Sequence, residues 1–202
     1  MKLYYSPGAC SLSPHIVLRE LGLPFDLDRV DQATKKTETG ADYLAINAKG
    51  YVPALRLDDG EVLTEGSAII QYLADRTPAA KLAPEAGTLP RARLQEHLNF
   101  LASELHKAFG PLFNAKAPDD ARRTAPGNVG RLLAHFETIL SDGRPYLLGE
   151  SYTIADPYLF AIARWAMPTG IGLARWPHLE AFIERIGRRD AVKAAMRAEG
   201  LA

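Results

Sequence analysis

The sequence predicts a small α/β domain followed by an all-α domain, and three observations support this prediction. Short strand-like and helix-like segments alternate over the first 80 residues. A stretch rich in proline and glycine, residues 77–90, then lacks any hydrophobic period, as a linker does. Beyond it, apolar residues recur almost everywhere at helical spacing. The expected division is a first domain at 1–78, a linker at 79–90 and a helical domain at 91–202.

The first domain is predicted to have the element order β-α-β, a connection, and then β-β-α. Apolar spacing and the turn residues that end each segment predict strands at 2–5, 25–30, 52–57 and 61–64, and helices at 12–21 and 67–74. Asp58-Asp59-Gly60 separates the last two strands and is a strong hairpin signal. Because a β-α-β unit implies a parallel strand pair and a hairpin adds antiparallel strands, we expect a mixed sheet covered by helices.

The helical domain is predicted from several apolar stripes. The helix at 91–109 carries four leucines at helical spacing, at positions 94, 98, 101 and 105. Thr153-Ile154-Ala155-Asp156 is a capping box that opens an apolar helix, with Thr153 capping N–H groups and Asp156 reaching back. Further helices are expected at 177–186 and 190–198.

One helix of this domain has an internal conflict. It starts well at Pro118-Asp119-Asp120, yet Pro126, Gly127 and Gly130 interrupt it. A proline inside a helix costs about 3 kcal/mol. We therefore expect a kink or a break at residues 124–127.

Composition excludes several classes of function. The 24 Lys and Arg residues equal the 24 Asp and Glu residues, which argues against a nucleic-acid partner. No apolar run approaches the roughly 18–20 residues of a membrane span, and the N-terminal segment turns polar too early for a signal peptide. The single cysteine cannot form an internal disulfide. We expect a cytoplasmic globular protein without a membrane partner.

The single cysteine, Cys10, lies in the loop between the first strand and the first helix. N–H groups and the dipole at a helix N-terminus stabilise a thiolate, so a lowered pKa and a reactive thiol are predicted. Cys10-Ser11-Leu12-Ser13 is a C-x-x-C motif whose second cysteine is replaced by serine, so a disulfide at Cys10 would need an external thiol. The alternative is a small buried apolar residue, the usual role of a lone cysteine.

Two segments of the first domain could bind a ligand. A cis Val52–Pro53 bond would turn the Val52 backbone outward to pair with an extended peptide, although only about 5–6% of X–Pro bonds are cis. Glu65-Gly66-Ser67 leads into a helix, where backbone N–H groups suit a carboxylate and Glu65 suits an amine. An ordinary helix N-terminus explains the second segment equally well.

One face of the 91–109 helix is polar. Asn99, Ser103 and His106 fall within roughly 60° of one another, away from the leucines, with Lys107 alongside. The face is either solvated or part of a binding site. The other histidines show no metal-ligand spacing, so we expect no metal.

Together these positions resemble the bacterial beta class of cytosolic glutathione transferases, and the resemblance covers essentially the whole chain. The most specific matches are residues 4–13, 47–55 and 104–107, whereas residues 64–69 and 153–156 match the superfamily more broadly. The resemblance implies a thioredoxin-like first domain, an all-helical second domain and a homodimer.

The resemblance also implies a glutathione site. Cys10 would contact the glutathione sulfur, sometimes as a mixed disulfide, and His106 would reach the same sulfur from the helical domain. Val52, before a cis Pro53, would pair with the cysteinyl backbone. The other implied contacts are Lys35 at the glycyl carboxylate, Glu65, Gly66 and Ser67 at the γ-glutamyl end, and Asn99, Ser103 and Lys107, of which Asn99 and Ser103 can also serve a neighbouring subunit's site.

Two positions deserve comparison with the wider family. Gly66 stands where many relatives outside the class have a serine, so backbone N–H groups or Ser67 must substitute. Tyr5 falls near the catalytic tyrosine of other classes and is interpreted as a bystander.

The expected activity is conjugation of glutathione to small hydrophobic electrophiles. Cys10, Ser11 and His106 would lower the effective pKa of the glutathione thiol, and the thiolate would attack the electrophile. Glutathione is the co-substrate, and the electrophile pocket is assigned to Phe109, Phe113, Trp165 and Met167. Two alternatives are a glutaredoxin-like thiol transferase, in which Cys10 itself cycles through the mixed disulfide, and a non-catalytic binding protein for hydrophobic ligands.

Overall fold

The computed structural model describes residues 1–201 and divides the chain into two compact units. The first unit contains residues 1–83 and the C-terminal segment from Arg188, and the second contains residues 84–187. The sequence-based division placed this C-terminal segment in the helical domain. Within the first unit, Arg189 of this segment makes a two-pronged ion pair with Glu20, at 2.6 and 2.9 Å.

A five-stranded mixed sheet forms the centre of the first unit, in the order β3-β2-β1-β4-β5. The strands are β1 (Lys2–Tyr5), β2 (Asp26–Asp31), β3 (Lys36–Thr37), β4 (Ala54–Arg56) and β5 (Val62–Thr64). β1 and β2 are parallel and the other neighbours are antiparallel, which confirms the predicted mixed sheet. β3 was not predicted, because two residues are too few to show a strand period.

Three helices alternate with these strands in the first 83 residues. They are α1 (Leu12–Glu20), α2 (Tyr43–Ile46) and α3 (Gly66–Arg76), and a 3₁₀ turn follows at Pro78–Ala80. Leu3 and Leu55 from the sheet are fully buried, as are Ile16 of α1 and Ile69 of α3. Each such side chain contributes about 1.5–3 kcal/mol on burial. This apolar core fixes where the loops before α1 and α3 lie.

The second unit is helical, with α4 (Leu89–Phe100), α5 (His106–Ala108), α6 (Gly110–Phe113), α7 (Asp119–Leu140), α8 (Ala155–Ala163) and α9 (Pro177–Gly187). The four predicted leucines at 94, 98, 101 and 105 are all fully buried, which confirms the stripe. The helix predicted at 91–109 is present, but it is not α-helical throughout, since a π-helical segment, Leu101–Leu105, joins α4 to α5. No helix within residues 1–201 is both long enough and apolar enough to cross a membrane.

α7 runs without interruption from Asp119 to Leu140, so of the kink or break expected at residues 124–127 the break is wrong and the kink stays a prediction. Pro126 removes one backbone hydrogen bond, at a cost of about 3 kcal/mol. The helix nevertheless buries a continuous apolar face, and each large buried side chain contributes about 1.5–3 kcal/mol. That face consists of Ala125, Val129, Leu132, Leu133, Phe136 and Leu140.

The predicted capping box before α8 is half formed. The fully buried carboxylate of Asp156 accepts a hydrogen bond from the Thr153 N–H at 2.6 Å, as predicted. The Thr153 hydroxyl, however, donates to the same carboxylate at 3.1 Å instead of capping the helix. The other Asp156 oxygen accepts from the Leu147 N–H at 2.9 Å, which ties the preceding loop to the start of α8.

The C-terminal segment reaches back to the loop that precedes Cys10. Its helix α10 (Asp190–Ala198) is followed by Glu199, whose buried carboxylate accepts the Gly8 N–H at 2.9 Å. The second oxygen of Glu199 lies 2.7 Å from Nδ1 of His15, which is fully buried in α1. Glu199 therefore supports the loop and α1 together.

We expect the Glu199→Ala variant to lose about 2–5 kcal/mol of unfolding free energy, because the half-buried Gly8 N–H and the fully buried His15 ring would both lose this partner. The matched control is Asp190→Ala, which removes a fully exposed carboxylate of the same segment and should therefore leave stability nearly unchanged. Urea unfolding of both variants measures the difference. Equal stability of the two variants would contradict this role of Glu199.

Candidate functional site

The loop at residues 6–11 ends in Cys10 and Ser11. The Ser11 hydroxyl accepts from the Ser6 N–H at 3.2 Å and donates to the Ser6 carbonyl at 3.2 Å. Ser11 is fully buried, and its side chain caps no N–H group of α1. The structure thus places Ser11 as a support of the loop, and its catalytic role at the sulfur stays a prediction.

The Cys10 thiol donates a hydrogen bond to the Val52 carbonyl, with 3.3 Å between sulfur and oxygen. Burial raises the pKa of Cys10 to about 12, although the backbone N–H groups of Cys10 and Ser11 act in the opposite direction. The predicted lowering of this pKa is therefore wrong, because loss of solvent outweighs the helix N-terminus. At neutral pH Cys10 is a protonated hydrogen-bond donor.

The segment that faces Cys10 is rigidly held. The Val52–Pro53 bond is cis, which decides between the two alternatives that the sequence left open. The neighbouring Tyr51 carbonyl accepts hydrogen bonds from the Tyr43 hydroxyl and the Asn47 side chain, both at 2.7 Å. Tyr43 is fully buried, and burial raises its pKa to about 12, so it stays a donor.

Two lysines lie against this part of the first unit. Lys35, a predicted ligand contact, donates from Nζ to the Gly50 carbonyl at 2.8 Å. Lys49 donates to the Glu65 carboxylate at 2.7 Å and to the Thr64 hydroxyl at 2.9 Å. Sequence reasoning missed Lys49, because a lysine in a polar loop carries no spacing signal that relates it to Glu65.

The start of α3 holds the predicted Glu65-Gly66-Ser67 segment. Glu65 has φ 69°, a conformation that residues with a Cβ rarely adopt and that is typical of functional sites. A Cβ on Gly66 would lie 3.7 Å from the Pro53 ring, which is ordinary contact, so space does not require this glycine. The buried Ser67 hydroxyl has no hydrogen-bond partner within residues 1–201. A buried hydroxyl in this position calls for an external partner.

His106 lies in the second unit directly after the π-helical segment. Its Nδ1 is 3.1 Å from the hydroxyl of Tyr158, which is almost completely buried. Trp165 contacts the imidazole edge-on, with ring centroids 5.0 Å apart. Sequence reasoning missed Tyr158, because the residue sits in an apolar helix and nothing local relates it to a histidine 52 positions earlier.

The other polar residues predicted on this helix face solvent. Asn99, Ser103 and Lys107 are all exposed, whereas the leucines between them are buried. The separation into a polar and an apolar face is therefore as predicted. Their contacts with a ligand stay a prediction.

The four residues predicted to form an apolar pocket are not equivalent. Trp165 lies at the centre of a ring cluster, with Phe113 at 5.3 Å and Phe109 at 5.6 Å between centroids. Phe109 is completely buried, so it supports the cluster from within. Phe113 and Met167 are more than half exposed and offer the apolar surface.

Tyr5 is a buried core residue of β1. Burial, followed by the negative charges of Glu199 and Glu38, raises its pKa.

Among residues 1–201, no group of three or more His, Cys, Asp or Glu side chains could hold a metal ion.

Comparison with known protein families finds one match in the N-terminal part of the chain and another in the helical part. The family described as glutathione S-transferase, N-terminal domain, matches residues 8–76, and the family described as glutathione S-transferase, C-terminal domain, matches residues 100–190. The chain belongs to the glutathione S-transferase family. The thioredoxin-like first domain and the helical second domain implied by the resemblance are confirmed.

Individual relatives match over the full length. The chain is 45% identical over 201 residues to glutathione S-transferase GstA of Escherichia coli O157:H7, with 100% of both chains covered. The structure of a beta-class glutathione S-transferase from Sphingomonas chungbukensis has a TM-score of 0.97 at 49% identity, again with 100% of both chains covered. A sphingomonad glutathione S-transferase complexed with glutathione has a TM-score of 0.95, 49% identity and the same coverage. The resemblance to the bacterial beta class is confirmed.

The raised pKa of Cys10 predicts how the thiol reacts in the ligand-free protein. Alkylation by iodoacetamide should be slow at pH 7 and should rise about tenfold per pH unit between pH 8 and 10, because only the thiolate reacts. Mass spectrometry of the intact protein measures the alkylation rate without interference from other thiols, since Cys10 is the single cysteine. A plateau below pH 8 would show that the pKa is instead lowered.

Proposed function

We propose that this glutathione transferase joins glutathione to small hydrophobic electrophiles, with the glutathione thiolate as the nucleophile. The observation that carries the proposal is the protonated Cys10 thiol, which donates a hydrogen bond and has a pKa of about 12. A protonated thiol can stabilise a neighbouring thiolate by donating to it, but it is not itself a nucleophile. The attacking sulfur in this proposal therefore belongs to glutathione.

The first unit is proposed to bind the tripeptide along its whole length. The γ-glutamyl end would use the Glu65 carboxylate for its ammonium group, and the Ser67 hydroxyl with the N–H groups at the start of α3 for its carboxylate. The unpartnered Ser67 hydroxyl supports this assignment and compensates for glycine at position 66. Val52 would pair with the cysteinyl backbone beside cis Pro53, and Lys35 would take the glycyl carboxylate.

The second unit is proposed to contribute His106 as a hydrogen-bonding partner of the glutathione sulfur. The contacts of its ring with Tyr158 and Trp165 support a fixed orientation. The exposed residues Asn99, Ser103 and Lys107 are proposed as further contacts for the anionic tripeptide. Ser11 acts indirectly, by holding the loop that carries Cys10.

The electrophile is proposed to lie on the apolar surface of Phe113, Trp165 and Met167, with Phe109 behind it. For a chloroarene, the glutathione sulfur forms a bond to the ring carbon, and chloride leaves with the electron pair of the carbon–chlorine bond. The thiol proton has already passed to solvent. The protein contributes orientation and stabilisation of the thiolate.

Thiol transfer is the competing function, and it uses different chemistry. In it, the Cys10 thiolate attacks oxidised glutathione, forms the mixed disulfide and releases one glutathione thiolate. The C-x-x-S motif permits this step, but a pKa of about 12 leaves little thiolate at neutral pH. We therefore propose that Cys10 forms the mixed disulfide slowly and faster at alkaline pH, as a side reaction of the conjugating enzyme.

Two substitutions of Cys10 separate the functions. Cys10→Ser keeps a protonated donor and should retain most of the conjugation of chlorodinitrobenzene, whereas Cys10→Ala should lower its kcat/KM by about tenfold. Neither variant should catalyse thiol transfer, which is assayed with the mixed disulfide that forms when glutathione reacts with hydroxyethyl disulfide. Initial rates in the two assays, with the wild type beside them, measure this.

Three outcomes would overturn the proposal. Loss of conjugation in Cys10→Ser would show that conjugation needs the Cys10 sulfur itself and not merely a protonated donor. Full conjugation by Cys10→Ala would show that this thiol is not needed for conjugation. Binding of apolar ligands without turnover of any electrophile by the wild type would favour the non-catalytic binding protein.

We further propose a cytoplasmic homodimer. The lone thiol suits a reducing compartment, and two large apolar side chains, Tyr51 and Leu89, are about 70% exposed in the single chain. Light scattering coupled to size exclusion should give twice the chain mass of 22.1 kDa at micromolar concentration. A mass of one chain under these conditions would contradict the dimer.

A further inference from the structure

The contact between Tyr158 and His106 goes beyond the proposed function and rests on it. We propose that Tyr158 is a positioning residue, which donates a hydrogen bond to Nδ1 of His106 and thereby keeps the imidazole proton on Nε2. His106 then serves the glutathione thiolate as a hydrogen-bond donor and not as a base.

The geometry gives the imidazole a defined environment. The Tyr158 hydroxyl lies 3.1 Å from Nδ1, and the two rings meet edge to face at 88°. Trp165 also contacts the imidazole, with an angle of 68° between the ring planes and 5.0 Å between the ring centroids. Because Tyr158 is only 4% exposed, solvent does not compete well for its hydroxyl. Two packed neighbours thus restrict rotation of the His106 ring.

The backbone before His106 supports the same interpretation. The His106 N–H bonds to the Leu101 carbonyl, five residues earlier, which is the π-helical pattern. This extra residue in the turn changes the direction in which His106 projects, relative to a continuous α-helix. Leu101 and Leu105 stay fully buried, so the core is intact on both sides of the irregular turn. π-Helical turns are rare and occur frequently at functional sites.

The chemistry of the two groups decides the direction of the hydrogen bond. A phenol donates more strongly than it accepts, because its lone pair is delocalised into the ring. A neutral imidazole has one N–H and one lone pair, so a donor at Nδ1 places the ring proton on Nε2. An N–H at Nε2 stabilises a thiolate by donating to it, whereas a lone pair at Nε2 would repel the thiolate. By donating to Nδ1, the hydroxyl of Tyr158 thus makes Nε2 the ring nitrogen that carries the proton and donates.

A double-mutant cycle tests whether Tyr158 acts through His106. Tyr158→Phe keeps the ring and removes only the hydroxyl. We expect it to lower kcat for chlorodinitrobenzene about five- to tenfold, with the KM for glutathione changed less than twofold. In a His106→Asn background the same substitution should have no further effect. Tyr146→Phe, which removes another tyrosine hydroxyl from this unit, is the matched control and should stay within twofold of the wild type.

Nitrogen NMR of imidazole-labelled protein tests the tautomer directly and requires no activity. The wild type should show a protonated Nε2 and an unprotonated Nδ1 for His106, assigned by loss of the signals in His106→Asn. Tyr158→Phe should shift the population toward the other tautomer. This measurement on the wild type decides the proposal even if Tyr158→Phe fails to fold.

The outcomes distinguish this inference from the proposed function. A wild type that conjugates no electrophile would refute the proposed function, while the NMR result would still report on Tyr158. A protonated Nδ1 in the wild type would overturn the inference. An equal loss from Tyr158→Phe with and without His106 would also overturn it, because Tyr158 would then act independently.

Discussion

The hydrogen bond from the Cys10 thiol to the Val52 carbonyl is the interaction on which the first unit's chemistry depends. It joins the loop before α1 to the segment with the cis proline, two parts of the chain that are 42 residues apart. Burial raises the pKa of the Cys10 thiol, so the sulfur stays protonated. A residue type known for nucleophilic reactivity is thereby held as a donor, and packing rather than residue identity determines its role.

A common physical theme links the two units. In each, a side chain that could act as a base or a nucleophile is hydrogen-bonded through one atom to a residue of the same unit. Val52 accepts from Cys10 in the first unit, and Tyr158 contacts His106 in the second. Fixed donors of this kind stabilise a developing or existing anion without reorganising, which is how electrostatic catalysis is most effective.

The sequence predicted those features that depend on local periodicity. The strands, the hairpin and the buried leucines of α4 follow from the spacing of apolar residues and from turn signals. The position of Cys10 before α1 and of Glu65 before α3 follows in the same way. The polar face of α4 could also be derived, because helical geometry alone separates Asn99 from the leucines.

The features that the sequence did not predict depend on packing between distant residues. The pKa of Cys10 is raised mainly by burial of the thiol, which no local pattern reveals. The continuity of α7 through Pro126 depends on the apolar face that the helix buries. The π-helical turn before His106 and the contact with Tyr158 likewise arise from tertiary structure.

The link between Glu199 and Gly8 has a consequence for biosynthesis. Glu199 is translated 191 residues after Gly8, so all five strands leave the ribosome long before the carboxylate that supports the loop carrying Cys10. During that interval the first unit lacks α10 and Glu199, although all of its strands are present. The contact between Glu199 and the loop that carries Cys10 can therefore form only after residues 1–83 of the first unit have all been translated.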